Sequence, residues 1–204
     1  MLMDSTSPDG LLGKVREAYS QASDDPGGSH PFPLGFEFAL SLGYPEELLQ
    51  GLPQSSVERF TGVSNVSVFA EIPDGSLVLD LGCGGGTYSL IAAGKTGPAG
   101  RVYGVDFSPS MLAHARAGAM EAGASNLEFH ESEGQRLPFD DGTFDVALVN
   151  GIFNLNPSRN ELFQELVRVI RPGGALYGAE IMRTSRNART NNPKALAADL
   201  IAYR

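Results

Sequence analysis

Val78-Leu79-Asp80-Leu81-Gly82-Cys83-Gly84-Gly85-Gly86-Thr87 is the stretch on which the fold turns. An apolar run suited to a buried strand enters a glycine-rich turn and then a helical pattern. Glycine has no Cβ, so backbone in such a turn can approach a ligand closely. The same run also serves as a tight strand-to-helix turn that binds nothing, and the surrounding chain has to decide between the two.

Downstream of Pro73-Asp74-Gly75, short apolar runs alternate with helical stretches, the pattern of parallel βαβ units. Five strands are predicted, at 77–81, 101–106, 126–130, 144–150 and 175–182, most of them apolar enough for a buried sheet. Ser108 before Pro109 reads as the N-cap and first-turn proline of a helix through Met111, Leu112 and Ala115 that stops near Gly123. Asn156-Pro157 repeats the device for a helix carrying Leu162, Phe163, Leu166, Val169 and Ile170. Arg171-Pro172-Gly173-Gly174 breaks that helix ahead of the fifth strand. Residues 1–72 read as a helical cap and lid interrupted by the loop SDDPGGSHPFPLG (23–35), residues 73–182 as the core, and 183–204 as a basic tail with a short helix at 193–203. At 204 residues the default is a single α/β domain.

The formal charge of −9 and a pI near 4.8 argue against double-stranded nucleic acid, whose affinity rests on clustered Lys and Arg. The tail departs from this balance, with Arg183, Arg186, Arg189, Lys194 and Arg204 against Asp199 alone. Cys83 is the only cysteine, so neither an internal disulfide nor a metal site of several thiolates is expected, and a reducing compartment fits. The start, MLMDSTSPDG, has no basic and then apolar region, and no run approaches the roughly 18 apolar residues of a membrane span. A soluble, cytoplasmic protein with no membrane partner and no metal is expected.

Three acids give the glycine turn a charge pattern. Asp80 places a carboxylate beside the loop, where the pyrophosphate of a dinucleotide would be repelled, and Thr87 stands where a dinucleotide fingerprint has its last Gly or Ala. S-adenosylmethionine has no phosphate and carries an ammonium and a sulfonium, so Asp80 favours it, directly or through water. Asp106 ends the second strand, where a carboxylate accepts from both hydroxyls of an adenosine ribose or else helps cap the next helix. Phe107 offers a flat face to adenine or packs in the core. Beyond the third strand, the Glu133 side chain or a backbone N–H at Glu133-Gly134 can read the adenine edge. Asn150 closes the fourth strand at the carboxyl end of the sheet, where its carbonyl can hold an ammonium. Cys83 and Met111 complete the cofactor-side candidates. Tyr19, His30 and Asn154 are the candidates on the acceptor side; His114 and His130 read as structural.

VLDLGCGGG, VYGVDFSPSML, FDVALVN and RVIRPGG, in this order over residues 77–182, resemble the motif series of class I S-adenosylmethionine-dependent methyltransferases. The resemblance implies a Rossmann-like, doubly wound, mostly parallel sheet, with Asp80, Gly82, Gly84, Asp106, Glu133, Gly134 and Asn150 lining the cofactor. It also implies a tyrosine, matched by Tyr19, in a lid over that cofactor. The implied reaction is methyl transfer from S-adenosylmethionine to a small-molecule acceptor. A non-catalytic S-adenosylmethionine-binding module and a dinucleotide-dependent oxidoreductase are the alternatives. A narrower resemblance, through GYPEELLQGLP, GPAGRVYGVD and NGIFNLNPSR, is to arsenite methyltransferases, a family whose cysteines bind the metalloid. One thiol cannot form a three-thiolate arsenic site, so arsenite is not the expected substrate. Only 22 residues follow Met182, and they contain no convincing strand run. The last two of the family's usual seven strands are therefore expected to be absent. The 193–203 helix, through Leu196, Leu200 and Ile201, or a second protomer in a homodimer, would cover the edge of the fifth strand.

Overall fold

The computed structural model describes the backbone of residues 8–181 and 201–203 and the side chains of residues 13–181. Six strands form one sheet in the order β3-β2-β1-β4-β5-β6. They are β1 (Leu77–Leu81), β2 (Arg101–Asp106), β3 (Leu127–Glu131), β4 (Phe144–Asn150), β5 (Ile170–Ala179) and β6 (Ile201–Tyr203). The first five run parallel, and β6 pairs antiparallel with β5. The strand order reverses between β1 and β4, which opens a crevice at their carboxyl ends, the usual ligand position of a doubly wound sheet.

β1, β2 and β4 have the bounds that their apolar runs predict, because each is a central strand buried on both faces. β3 lies one residue later than predicted. The Asn126 side chain leaves the strand to donate to Ala93 and Gly97 carbonyls at 3.2 and 3.0 Å. β5 differs more. It starts at Ile170, directly from the preceding helix, and residues 171–174 fall in a register shift between the pairs Phe144↔Ile170 and Val146↔Ala175. Arg171-Pro172-Gly173-Gly174 is thus an irregularity within the strand, pinned by Arg171 Nε donating to Asp145 Oδ1 at 2.5 Å. The strand also ends at Ala179 rather than at 182: Asn154 Nδ2 takes the Ile181 carbonyl at 2.6 Å, drawing that backbone toward the loop after β4.

The predicted tail helix needs a correction. Residues 193–200 lie outside the described residues, but 201–203 form β6, with Ile201, Ala202 and Tyr203 opposite Gly178, Tyr177 and Leu176. One of the strands expected to be missing is therefore present. Three residues are too few to show a period-two pattern, yet enough to pair part of the exposed β5 edge that would otherwise offer open backbone groups.

Of the connecting helices, α6 (Thr87–Thr96) and α7 (Pro109–Glu121) follow β1 and β2, and α8 (Arg159–Val169) precedes β5. Ser108 caps α7 as predicted, its Oγ accepting from Met111 N at 3.3 Å. Asn156 does not repeat this at α8. Its Oδ1 reaches only Ser158 N, at 2.8 Å, making a local turn, and the helix starts at Arg159 without a side-chain cap.

Ahead of the sheet lie α1 (Pro8–Asp24), α2 (Gly35–Ser41), α3 (Glu46–Gln50), α4 (Gln54–Val57) and α5 (Val66–Phe69). Ala39, Leu49, Val57, Phe60 and Val66 from this cap share one apolar cluster with Val78, Ile91 and Leu148 of the sheet layer. Burial of a Val, Leu or Phe side chain stabilises by about 1.5–3 kcal/mol each, so the cap is held to the sheet by packing. The opposite face of the sheet packs Leu79, Val105, Phe144 and Ala147 against Leu162, Leu166 and Val169 of α8.

Candidate functional site

The glycine turn sits at the crevice. Gly82 has φ +76°, and a Cβ there would stand 1.8 Å from Ile152 Cδ1, so only glycine lets the end of β1 lie against the loop after β4. Gly84 also has a positive φ, +51°, but a Cβ there would meet nothing within 4 Å. Its open side faces a cavity of about 1040 Å³ between the sheet and the cap. That volume is at the upper end of the range for small-molecule sites.

Asp106 closes β2 against the turn. Its Oδ2 accepts from Gly84 N and its Oδ1 from Ser108 N, both at 2.9 Å. Burial pushes this carboxyl above its usual range, and the backbone N–H groups oppose that rise. The cap of α7 belongs to Ser108 Oγ, so Asp106 is not the helix cap. Each carboxylate oxygen keeps capacity to accept from a ligand hydroxyl.

The cavity wall brings together eight of the sequence candidates: Tyr19, Gly82, Cys83, Gly84, Asp106, Phe107, Glu133 and Asn150. Glu133 is ion-paired with Arg16 of α1, whose guanidinium carbon lies 5.9 Å from the Phe107 ring centroid. Tyr19, one turn further along α1, packs 4.8 Å from the Phe32 ring and meets Phe107 edge-on at 6.2 Å. Burial, then the charges of Asp106 and Glu180, push its phenol up to about 12, so it is a neutral donor at neutral pH and no base. The Cys83 thiol is pushed up by burial and by Asp106 and Asp80, which keeps it protonated. Asn150 has its side chain engaged: Oδ1 accepts from Val63 N at 3.0 Å, and Nδ2 donates to the Ser64 carbonyl at 2.9 Å and to the Tyr88 hydroxyl. It clamps residues 63–64 beside the cavity, so its side-chain carbonyl can hold an ammonium only after leaving Val63.

Five candidates are not on the wall. Asp80 is 1% exposed and lies beneath the turn, accepting from Ser89 Oγ at 2.6 Å. Burial raises its carboxyl to about 7; the Ser89 hydrogen bonds oppose the rise and the Asp106 charge adds to it. Met111 is fully buried in α7, and Gly134 packs on Leu162, which a Cβ would approach to 3.1 Å. His30 stays in its loop, its Nε2 bonded to the Asp25 carbonyl at 2.7 Å and its ring stacked on Phe32. Asn154 is exposed, with its N–H on Glu180 and its amide on Ile181.

Sequence reasoning passed over Arg16, Arg59, Phe60, Tyr88, Gln135, Ile152 and Leu155, all of which line the cavity. Two carried a local signal: Arg16 precedes Tyr19 by three residues on one helix face, and Tyr88 is in the first turn after the glycines.

The family model described as a methyltransferase domain matches residues 72–201. An arsenite methyltransferase of Halobacterium salinarum is 37% identical over 124 residues, 61% of this chain and 32% of that protein. A demethylmenaquinone methyltransferase of Lactococcus lactis is also 37% identical, over 52% of this chain and 42% of its own length. The chain thus spans less than half the length of either relative. Among solved structures, an arsenic(III) S-adenosylmethionine methyltransferase of Chlamydomonas reinhardtii is similar with a TM-score of 0.57 and 29% identity. That match covers 75% of this chain and 52% of the other.

Proposed function

This chain belongs to the methyltransferase domain family, and on that premise we propose that it binds S-adenosylmethionine in the cavity above β1 and β4 and methylates a small molecule. The observation that carries the proposal is Gly84, whose missing Cβ leaves the turn open to the cavity, next to the buried Asp106 carboxylate. The donor set fits this cofactor. Asp106 is placed for the ribose hydroxyls, Phe107 and Glu133 for adenine, and the backbone from Gly82 to Gly85 for the amino-acid tail. When bound, the sulfonium supplies an activated methyl group: an acceptor lone pair displaces sulfur in line, and the C–S pair leaves as the neutral thioether of S-adenosylhomocysteine.

What the protein contributes is alignment and exclusion of water, which lower such a barrier without a nucleophile of the protein's own. The described residues of the wall contain no side chain free to act as a base near neutral pH. Tyr19, Tyr88 and Cys83 are held protonated by burial, Glu133 is engaged with Arg16, and Asp106 with the turn. The acceptor therefore arrives with a lone pair already available. Phe60, Ile152, Leu155 and Leu162 favour an apolar one. The arsenite activity of the relatives is not carried over, since the chain has a single, buried cysteine.

A cytoplasmic location and the absence of a double-stranded nucleic-acid partner belong to the proposal, supported by the lone cysteine and the acidic charge. Among the described residues, no helix is long and apolar enough to cross a membrane. A homodimer through the β5 edge is not part of the proposal, because β6 pairs there.

Calorimetry of the full chain with S-adenosylmethionine, S-adenosylhomocysteine and NAD tests the ligand. Binding of the first two and not the third is expected; binding of NAD alone would overturn the reading. Release of S-adenosylhomocysteine across an acceptor panel then separates an enzyme from a silent binding module.

A further inference from the structure

Arg59, just after α4, carries a buried positive charge into the cavity wall. It is 9% exposed, and its stem lies on the glycine turn: a Cβ on Gly85 would stand 2.9 Å from Arg59 Cβ and 3.6 Å from Cδ. Its Nε donates to the Ser23 carbonyl at 2.8 Å and its Nη1 to the Ser55 carbonyl at 2.9 Å. These main-chain acceptors fix the guanidinium without neutralising it. Among the described residues no carboxylate lies within 4.0 Å of it, and Nη2 has no protein acceptor. Buried charges are ordinarily paired, so an uncompensated guanidinium facing a cavity calls for an anionic ligand. Arg16, the other cation on this wall, is half exposed and already paired with Glu133.

The first turn of α6 adjoins Arg59 through Gly85. Gly86 occupies the N-cap position and provides no side-chain cap, and Gly85, Thr87 and Tyr88 all line the cavity. Asp80 approaches this terminus from beneath but is bound to Ser89, at the third residue of the helix. The amides ahead of Ser89 and the positive end of the helix therefore face the same space as the guanidinium. A ligand with its ribose on Asp106 crosses Gly84 to reach this point, because Gly84 N bonds Asp106 and Gly85 touches Arg59.

We propose that Arg59 and the first turn of α6 form a carboxylate subsite that takes the α-carboxylate of the cofactor's methionyl tail and selects ligands carrying that tail over the bare nucleoside thioether. The assignment rests on the S-adenosylmethionine reading above and adds to it a residue outside the glycine-rich motif.

The test titrates the full chain and its Arg59→Gln and Arg59→Lys variants with three probes. S-adenosylhomocysteine has both tail charges, decarboxylated S-adenosylhomocysteine keeps only the ammonium, and 5′-methylthioadenosine has neither. Arg59→Gln should weaken S-adenosylhomocysteine on the order of 10- to 100-fold, the scale of a lost charged hydrogen bond, and change the other two less than about threefold. Arg59→Lys, which keeps the charge and perturbs the cap least, should fall between. An equal loss for all three probes would mean that Arg59 only holds α1 and α4 in place, and would overturn the subsite. Unchanged affinity for S-adenosylhomocysteine with a raised acceptor KM would put an acceptor's anion on Arg59 and overturn it as well. If the unmutated chain binds no adenosyl probe, the proposed function falls with it; if it binds them and the variants do too, only the subsite falls.

Discussion

Replacing Asp80 by Asn should change how stability depends on pH, in a direction the structure sets. In the folded chain this buried carboxyl titrates at about 7, against 3.8 for the ordinary group. Between those values the folded state holds a proton that the unfolded state has released. The stabilisation is fully present below about pH 4 and is lost as pH rises through 7. Three pKa units correspond to roughly 4 kcal/mol, of which about 3 kcal/mol falls between pH 5 and pH 8. The substituted amide would keep an oxygen for Ser89 Oγ and carry no charge at any pH. Urea unfolding of both proteins at pH 5, 6, 7 and 8 gives the difference in stability, in which groups not coupled to Asp80 cancel. The unmutated protein should lose about 3 kcal/mol relative to Asp80→Asn across this range and then level off. A difference that stays flat, or one that rises with pH, would refute the reasoning and make Asp80 a carboxylate stabilised by Ser89.

Asp106→Ala should weaken S-adenosylmethionine binding by about 2–3 kcal/mol, the scale for removing a charged acceptor of buried hydroxyls; calorimetry showing unchanged affinity in a folded variant would reject the ribose assignment. Gly82→Ala and Gly84→Ala should separate folding from binding. The first meets Ile152 and should lower the melting temperature, whereas the second costs only about 1–2 kcal/mol of left-handed backbone strain but should abolish detectable cofactor binding. Arsenite should yield no methylated arsenic with the purified chain, and product above a no-enzyme control would show that its chemistry does not need the missing thiolates.

The parts of the fold legible in the sequence are those fixed by local pattern. A central strand buried on both faces leaves an apolar run with sharp ends, which is why β1, β2 and β4 match to the residue. β5 and β6 lack that constraint: one holds a register shift at 171–174 and the other is three residues long. At the site, Gly82, Gly84 and Asp106 were readable because each sits at the junction of a strand and its turn. Nearness in sequence misled for Asn154, which follows Asn150 by four residues but turns outward to Ile181, and for His30, which satisfies its own loop. Arg59 and Phe60 reach the cavity only because the cap folds back over the turn, a long-range packing that no local period encodes.

The glycine turn does not by itself choose among ligands, since the same backbone cradles a pyrophosphate when the helix behind it is left free for anions. Here charge makes the choice, and the order of charges matters more than their sum. Asp106 lies at the ribose end and Asp80 sits beneath the turn, so two acids precede the first turn of α6 and raise the cost of a diphosphate at the centre of the crevice. Arg59 adds a positive charge only beyond Gly85, one step further along the wall. A ligand that is uncharged at its ribose, positive at its centre and negative at its far end matches this sequence; a dinucleotide, negative at its centre, does not. The stem of Arg59 and the open side of Gly84 are therefore parts of one recognition device, although they come from a cap and a sheet that no motif joins.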